Sequence, residues 1–185
     1  MPKIEDAKIL IVATDGFEQS ELTKPKADLT GKGASVHVAS PKSGSIKGWD
    51  GDDWGRSVDV DLSVDATDAD DYDALVLPGG QMNPDSLRGE KAVLDLIDRF
   101  DEQGKPIAAI CHAPWLLIEA GLAGRDRTMT SYASIRTDVR NAGATWVDQA
   151  VVTDGNIITS RRPDDLDAFV QAIVVAVEGG APTEA

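Results

Sequence analysis

One cysteine, Cys111, and two histidines, His37 and His112, are all the thiol and imidazole in 185 residues. A lone cysteine cannot close an intramolecular disulfide, and a reducing, cytoplasmic setting fits. No paired Cys/His spacing exists, so no metal site is expected. No apolar run nears the ~20 residues of a bilayer span, so no membrane contact is expected. The opening Met1-Pro2-Lys3-Ile4-Glu5-Asp6 runs charge into a strand and does not read as a secretory leader. Bases are scarce: 18 Lys and Arg face 32 Asp and Glu, a net charge of −14. Such a surface repels phosphate backbones, which argues against nucleic acid as a partner. Gly-x-Ser-x-Gly, Gly-x-Gly-x-x-Gly and P-loop patterns are all missing, and no cofactor is expected.

What remains is an ordinary globular chain, 42 % hydrophobic, of a length that suits one α/β domain over residues 1–185 with a core from about 8 to 178. Apolar runs at 8–13, 35–39, 74–77 and 106–110 read as buried strands. Helices are expected at about 20–30 (kinked at Pro25), 91–102, 114–120, 134–141 and 164–178. Residues 40–71 are rich in Gly and Asp and read as a β-excursion, with Val58, Val60, Leu62 and Val64 alternating on one face. Strands at 145–147, 151–153 and 156–160 follow, the last two joined by a turn at Asp154-Gly155-Asn156. The tail from Ala181 is expected to be loose. This alternation predicts a mainly parallel sheet with helices on both faces. Ligands of such sheets sit beyond the carboxyl ends of the strands. The loops at Asp15–Glu18, Pro78-Gly79-Gly80 and Cys111 should meet there.

Cys111 is the candidate nucleophile. Ile107–Ile110 ends a strand, and Pro114 suits the first turn of a helix, so the thiol falls on the turn between them. Backbone N–H groups and a helix dipole favour a thiolate in such a place. A lone cysteine is more often inert packing; the strand-to-helix turn, the neighbouring histidine and the glycine pair outweigh that here. Glu18 is expected beside Cys111, as a buried acid donating to sulfur or a carboxylate moving a proton. Neighbouring side chains on a tight turn usually diverge, which makes His112 a better oxyanion donor, through its N–H, than a base. Gly79 or Gly80 would supply the second donor. Trp115 and Tyr132 read as pocket walls or core.

Three segments carry a family resemblance: Asp15-Gly16-Phe17-Glu18-Gln19-Ser20-Glu21-Leu22, Asp73-Ala74-Leu75-Val76-Leu77-Pro78-Gly79-Gly80, and Ala109-Ile110-Cys111-His112-Ala113-Pro114. Asn141–Asp148 and Val152–Asn156 add to it. Together they resemble the PfpI (protease I) branch of the DJ-one/PfpI superfamily, which is class I glutamine amidotransferase-like. The resemblance implies a flavodoxin-like three-layer α/β/α sandwich, an oxidation-sensitive cysteine on a nucleophile elbow, a Glu18–Cys111 hydrogen bond, and a homodimer or larger homo-oligomer. In proteolytic members a glutamate of the neighbouring subunit completes a Cys-His pair. Asp85 is the nearest match here, on a shorter side chain and after one inserted residue, and the usual glycine after Cys-His is Ala113. The expected activity is stress-related chemistry on a small reactive carbonyl, of glyoxalase or deglycase type. The alternatives are an oligomeric peptidase with a peptide substrate, and a cysteine redox sensor or chaperone without catalysis.

Overall fold

The structure is a computed structural model that describes residues 1–124 and 126–179; the tail from Ala181 lies outside the described residues. In chain order the strands are β1 (Lys8–Val12), β2 (Phe17–Glu18), β3 (Ser35–Ser40), β4 (Ser45–Asp50), β5 (Asp53–Asp59), β6 (Leu62–Ser63), β7 (Ala74–Leu77), β8 (Ile107–Ile110), β9 (Thr128–Met129), β10 (Thr145–Trp146), β11 (Val151–Asp154) and β12 (Ile157–Ser160). The helices are α1 (Gln19–Gly31), α2 (Met82–Leu87), α3 (Lys91–Glu102), α4 (Pro114–Glu119), α5 (Arg136–Ala142) and α6 (Leu166–Val177).

Seven strands form the central sheet in the order β11-β12-β8-β7-β1-β3-β6. All neighbours are parallel except the β11–β12 hairpin. Period-two alternation sends successive side chains to opposite faces. Leu10, Val12, Leu75, Leu77, Ile107 and Ala109 pack with Val93, Ile97 and Phe100 of α3, Leu116 and Leu117 of α4 and Val139 of α5. Ile9, Ile11, Val76, Ala108, Ile110 and Ile158 pack on the other side with Leu22 and Leu29 of α1 and Phe169, Ile173 and Val177 of α6. The result is the flavodoxin-like α/β/α sandwich expected from the sequence.

One expectation is corrected here. The alternation Val58-Val60-Leu62-Val64 is not one strand. Val58 belongs to the β4–β5 hairpin, Leu62 to β6 of the main sheet, and Val64 to a 3-10 turn. Met82–Leu87, a segment with no helical periodicity in its sequence, forms α2, with Pro84 in its first turns. Helix α1 runs through Pro25, which is buried. The missing N–H there leaves the carbonyl of Glu21 without its i→i+4 donor.

Candidate active site

Cys111 follows β8 directly and has φ +65°, the one left-handed non-glycine residue among those described. Such a backbone is costly for a residue with a Cβ and persists only where its surroundings hold it. Its N–H donates to Ser160 O at 3.0 Å and its carbonyl accepts from Tyr132 N–H at 2.8 Å. The expected convergence of loops is present. A Cβ built on Gly79 would stand 2.6 Å from Cys111 Cβ, and one on Gly80 would stand 2.5 Å from Gly16 O. Buried Asn83, which belongs to no sequence motif, ties these loops together. Its amide donates to Pro78 O and Gly79 O, and its Oδ1 accepts from Thr14 N–H at 2.7 Å. Asn83 sits on the unexpected helix α2, so only knowledge of that helix would have exposed it.

The acid at the sulfur is Glu21, not Glu18. Glu18 sits at the N-cap of α1, half-buried, with Ser20 Oγ donating to it at 3.2 Å and its own N–H directed to Gly79 O. Glu21 lies one turn further in and is fully buried on the stripe with Leu22, Pro25 and Leu29. A carboxylate at that spacing on an apolar helix face was the available signal. Glu21 Oε2 accepts from Gly79 N–H at 2.8 Å, and the carboxyl is within hydrogen-bond reach of the thiol. Oε1 is buried without a donor. Burial, reinforced by the charge of Glu18, pushes Glu21 up to about 8, so at neutral pH the carboxyl keeps its proton and has one to give.

Gly79 and Gly80 divide their work. The Gly79 amide is taken by Glu21, which leaves Gly80 as the candidate for the second oxyanion donor. The backbone N–H groups of Gly80 and His112 favour the charged form of the sulfur, and the Gly80 N–H favours the charged form of Glu21 as well. Burial and the Glu21 charge oppose them and push the thiol up. Cys111 is 6 % exposed, so the expectation of a thiolate favoured by backbone N–H groups and a helix dipole is corrected as well. Burial outweighs the amides, and α4, with six residues, is too short for a large dipole. Protonation of Glu21 lifts the repulsive part of that burden.

His112 does not diverge from its neighbour. The left-handed backbone at Cys111 turns the ring back, and Nδ1 lies 3.2 Å from Sγ. Its Nε2 lies 3.1 Å from Ser134 Oγ. Tyr132 stacks on the ring at 4.9 Å between centroids, and Trp115 meets it edge-on at 5.2 Å. Burial lowers the imidazole pKa and keeps the ring neutral. Trp115 Nε1 donates to Asp138 at 2.8 Å, and the Arg88 guanidinium covers its indole at 4.9 Å. Asp85 pairs with Arg88 at 2.8 Å within its own chain. Among the described residues no cluster of three His, Cys, Asp or Glu could hold a metal ion, and no helix is long and apolar enough to cross a membrane.

Sheet order and the strained turn after β8 define a flavodoxin-like α/β protein with an elbow cysteine at the carboxyl edge of its sheet. Within that class the chain belongs to the DJ-1/PfpI family, whose profile matches residues 7–176. It is 44 % identical over 167 residues to a deglycase of Thermococcus kodakarensis, covering 90 % of this chain and 97 % of that one. It is 43 % identical over 164 residues to protein/nucleic acid deglycase 2 of Escherichia coli, covering 88 % and 92 %. The crystal structure of Drosophila melanogaster DJ-1beta matches with a TM-score of 0.85 at 31 % identity, covering 97 % of this chain and 92 % of that one.

Proposed function

We propose that the protein is a cysteine-dependent enzyme acting on small reactive carbonyls, of glyoxalase or deglycase type. The observation that carries this reading is the thiol held between His112 Nδ1 at 3.2 Å and the buried acid Glu21. Methylglyoxal serves as the worked substrate. Sγ bonds to the aldehyde carbon while the thiol proton passes to His112 Nδ1. The carbonyl oxygen becomes an oxyanion facing the amides of Gly80 and His112, and protonation gives a hemithioacetal. The hydrogen on that carbon leaves as a proton and its electron pair forms an enediol; a proton then returns at the neighbouring carbon, leaving a thioester. Glu21 suits this transfer, because a group titrating near 8 gives and takes protons readily at neutral pH. Water cleaves the thioester, lactate leaves, and the thiol is restored. One aldehyde is oxidised and its neighbouring ketone reduced, so no external oxidant enters. The deglycase names of the two relatives support an enzymatic reading of the site.

A peptidase reading asks for Asp85 of a second subunit at the imidazole. Here Asp85 is engaged by Arg88, and Nε2 already has Ser134, so carbonyl chemistry is the better supported reading. Methylglyoxal turnover tests it. Lactate should form above the buffer rate with the wild type and at the buffer rate with Cys111→Ala; equal rates from the two proteins would overturn the proposal.

A further inference from the structure

We propose that Ser134 is a positioning residue of the nucleophile: its hydroxyl fixes the His112 ring so that Nδ1 takes the thiol proton, completing a Cys111–His112–Ser134 relay within one chain. The proposal rests on Cys111 being the reactive group, as in the preceding section, and adds a member to that machinery.

A neutral imidazole has one N–H and one lone pair. For Nδ1 to accept from sulfur at 3.2 Å, the hydrogen must sit on Nε2. That nitrogen lies 3.1 Å from Ser134 Oγ, and a hydroxyl oxygen accepts. With the sulfur hydrogen directed at Nδ1, Ser134 Oγ serves as acceptor for the Nε2 hydrogen, and that tautomer leaves Nδ1 free to act as a base. When the proton moves from Sγ to Nδ1, both ring nitrogens carry hydrogen. The Nε2–H then donates from a cation, and a charge-assisted bond to Oγ is stronger than a neutral one. Ser134 therefore favours the thiolate–imidazolium pair over the neutral pair.

The surroundings leave this task to the serine. Tyr132 stacks on one face of the ring and Trp115 meets it with its edge, so aromatic contacts hold the plane but accept no N–H. The charged side chains around this wall are already committed: Asp138 to Trp115 Nε1, Arg88 to the Trp115 face and to Asp85. Glu21 lies at the thiol. Ser134 itself is exposed, on the 3-10 turn Ala133–Ile135 that follows Tyr132. The Tyr132 N–H bond to Cys111 O fixes the start of that turn to the elbow, and Ser134 reaches the ring from there. An uncharged partner also has a chemical consequence. A carboxylate at Nε2 would raise the imidazole pKa strongly, whereas a hydroxyl orients the ring and raises it only modestly.

The test measures the rate of Cys111 alkylation by iodoacetamide against pH, followed by intact mass. It reads thiolate directly and needs no substrate. Ser134→Ala should slow alkylation at pH 7 by roughly tenfold and move the pH midpoint upward. Ser134→Thr, which keeps a hydroxyl, should restore most of the rate. In a His112→Ala background, Ser134→Ala should change nothing. Profiles of wild type and Ser134→Ala that agree within twofold would overturn the inference, as would an equal loss in the His112→Ala background. Neither result touches the carbonyl reading, which fails instead if methylglyoxal turnover does not depend on Cys111. Exposure of Ser134 makes folding of the variant the expected outcome, and circular dichroism with a thermal melt verifies it.

Discussion

Gly79→Ala should cost more than about 3 kcal/mol of folding stability and remove carbonyl turnover with it. The backbone conformation is not the obstacle, since Gly79 lacks the positive φ of its neighbour Gly80. Space is. An added Cβ would lie 2.5 Å from Glu21 Oε2, 2.6 Å from Cys111 Cβ and 2.6 Å from Ile110 O. Two of those atoms belong to the backbone or to the first side-chain carbon and cannot rotate away. Overpacking a core usually costs 1–3 kcal/mol; here strand β8, the elbow and the buried acid would all have to shift, which puts the change at or above that range. The shift would also break the Gly79 N–H bond to Glu21. Urea denaturation should show a lower midpoint with an unchanged slope, and turnover should fall at least a hundredfold. Gly104→Ala is the control. Gly104 has φ +64°, but a Cβ there meets nothing within 4 Å, so only the left-handed penalty of about 1–2 kcal/mol applies. If Gly79→Ala proved no worse than this control, the glycine loop would not be packed on the sulfur.

The fold was legible because both sheet faces are covered. Strands such as Lys8–Val12 and Ala74–Leu77 then read as unbroken apolar runs, and α3 shows its helical period over its whole length. The elbow was legible for a similar reason: Pro114 marks where β8 must give way to a helix. The hidden parts are those that depend on a third dimension. Glu18 and Glu21 are both acids at the start of a helix, and only the angular position of Glu21, in phase with Pro25 and Leu29, says which one turns inward. The reach of His112 back to the sulfur depends on the φ of Cys111, which no periodicity reports. Gly79 and Gly80 are indistinguishable as letters, yet the Gly79 amide serves the acid and the Gly80 amide serves both the acid and the sulfur. Asn83 and Ser134 lie far from Cys111 in sequence and match no motif, so their roles emerge only from hydrogen bonds.

Burial is the common thread of these differences. Backbone dipoles alone would favour a thiolate at the elbow; burial instead drives two acidic groups, Glu21 and Cys111, toward their neutral forms. Neither then carries charge until one yields its proton. His112, neutral through burial, is the base within reach of the sulfur. Reactivity in such a site comes from proton transfer on demand rather than from a standing thiolate.

Glu21→Gln separates these contributions. The variant should keep its fold, lose turnover by about 10²–10³-fold, and lose the pH dependence of stability that Glu21 confers. The sign follows from the two states of the carboxyl. Its pKa is about 8 when folded, against 4.5 as the ordinary value. Below pH 4.5 both states hold the proton and the full stability is present. As pH rises from there, the unfolded chain releases the proton while the folded one keeps it, so stability falls until about pH 8 and then stays level. A gap of that size corresponds to about 5 kcal/mol. Glutamine is neutral throughout, and its amide can reproduce both the acceptor for Gly79 N–H and a donor toward sulfur. Urea midpoints should therefore decline from pH 5 to 8 in the wild type and stay flatter in the variant; identical slopes would mean that the folded carboxyl is ionised. The thiol gives an independent reading. At pH 9 the wild-type Glu21 carboxylate repels a forming thiolate, and glutamine does not, so iodoacetamide should modify Cys111 in the variant at least as fast as in the wild type. Fast alkylation with slow turnover would assign to Glu21 the movement of protons on the substrate rather than the activation of sulfur; slow alkylation in the variant would reverse that assignment.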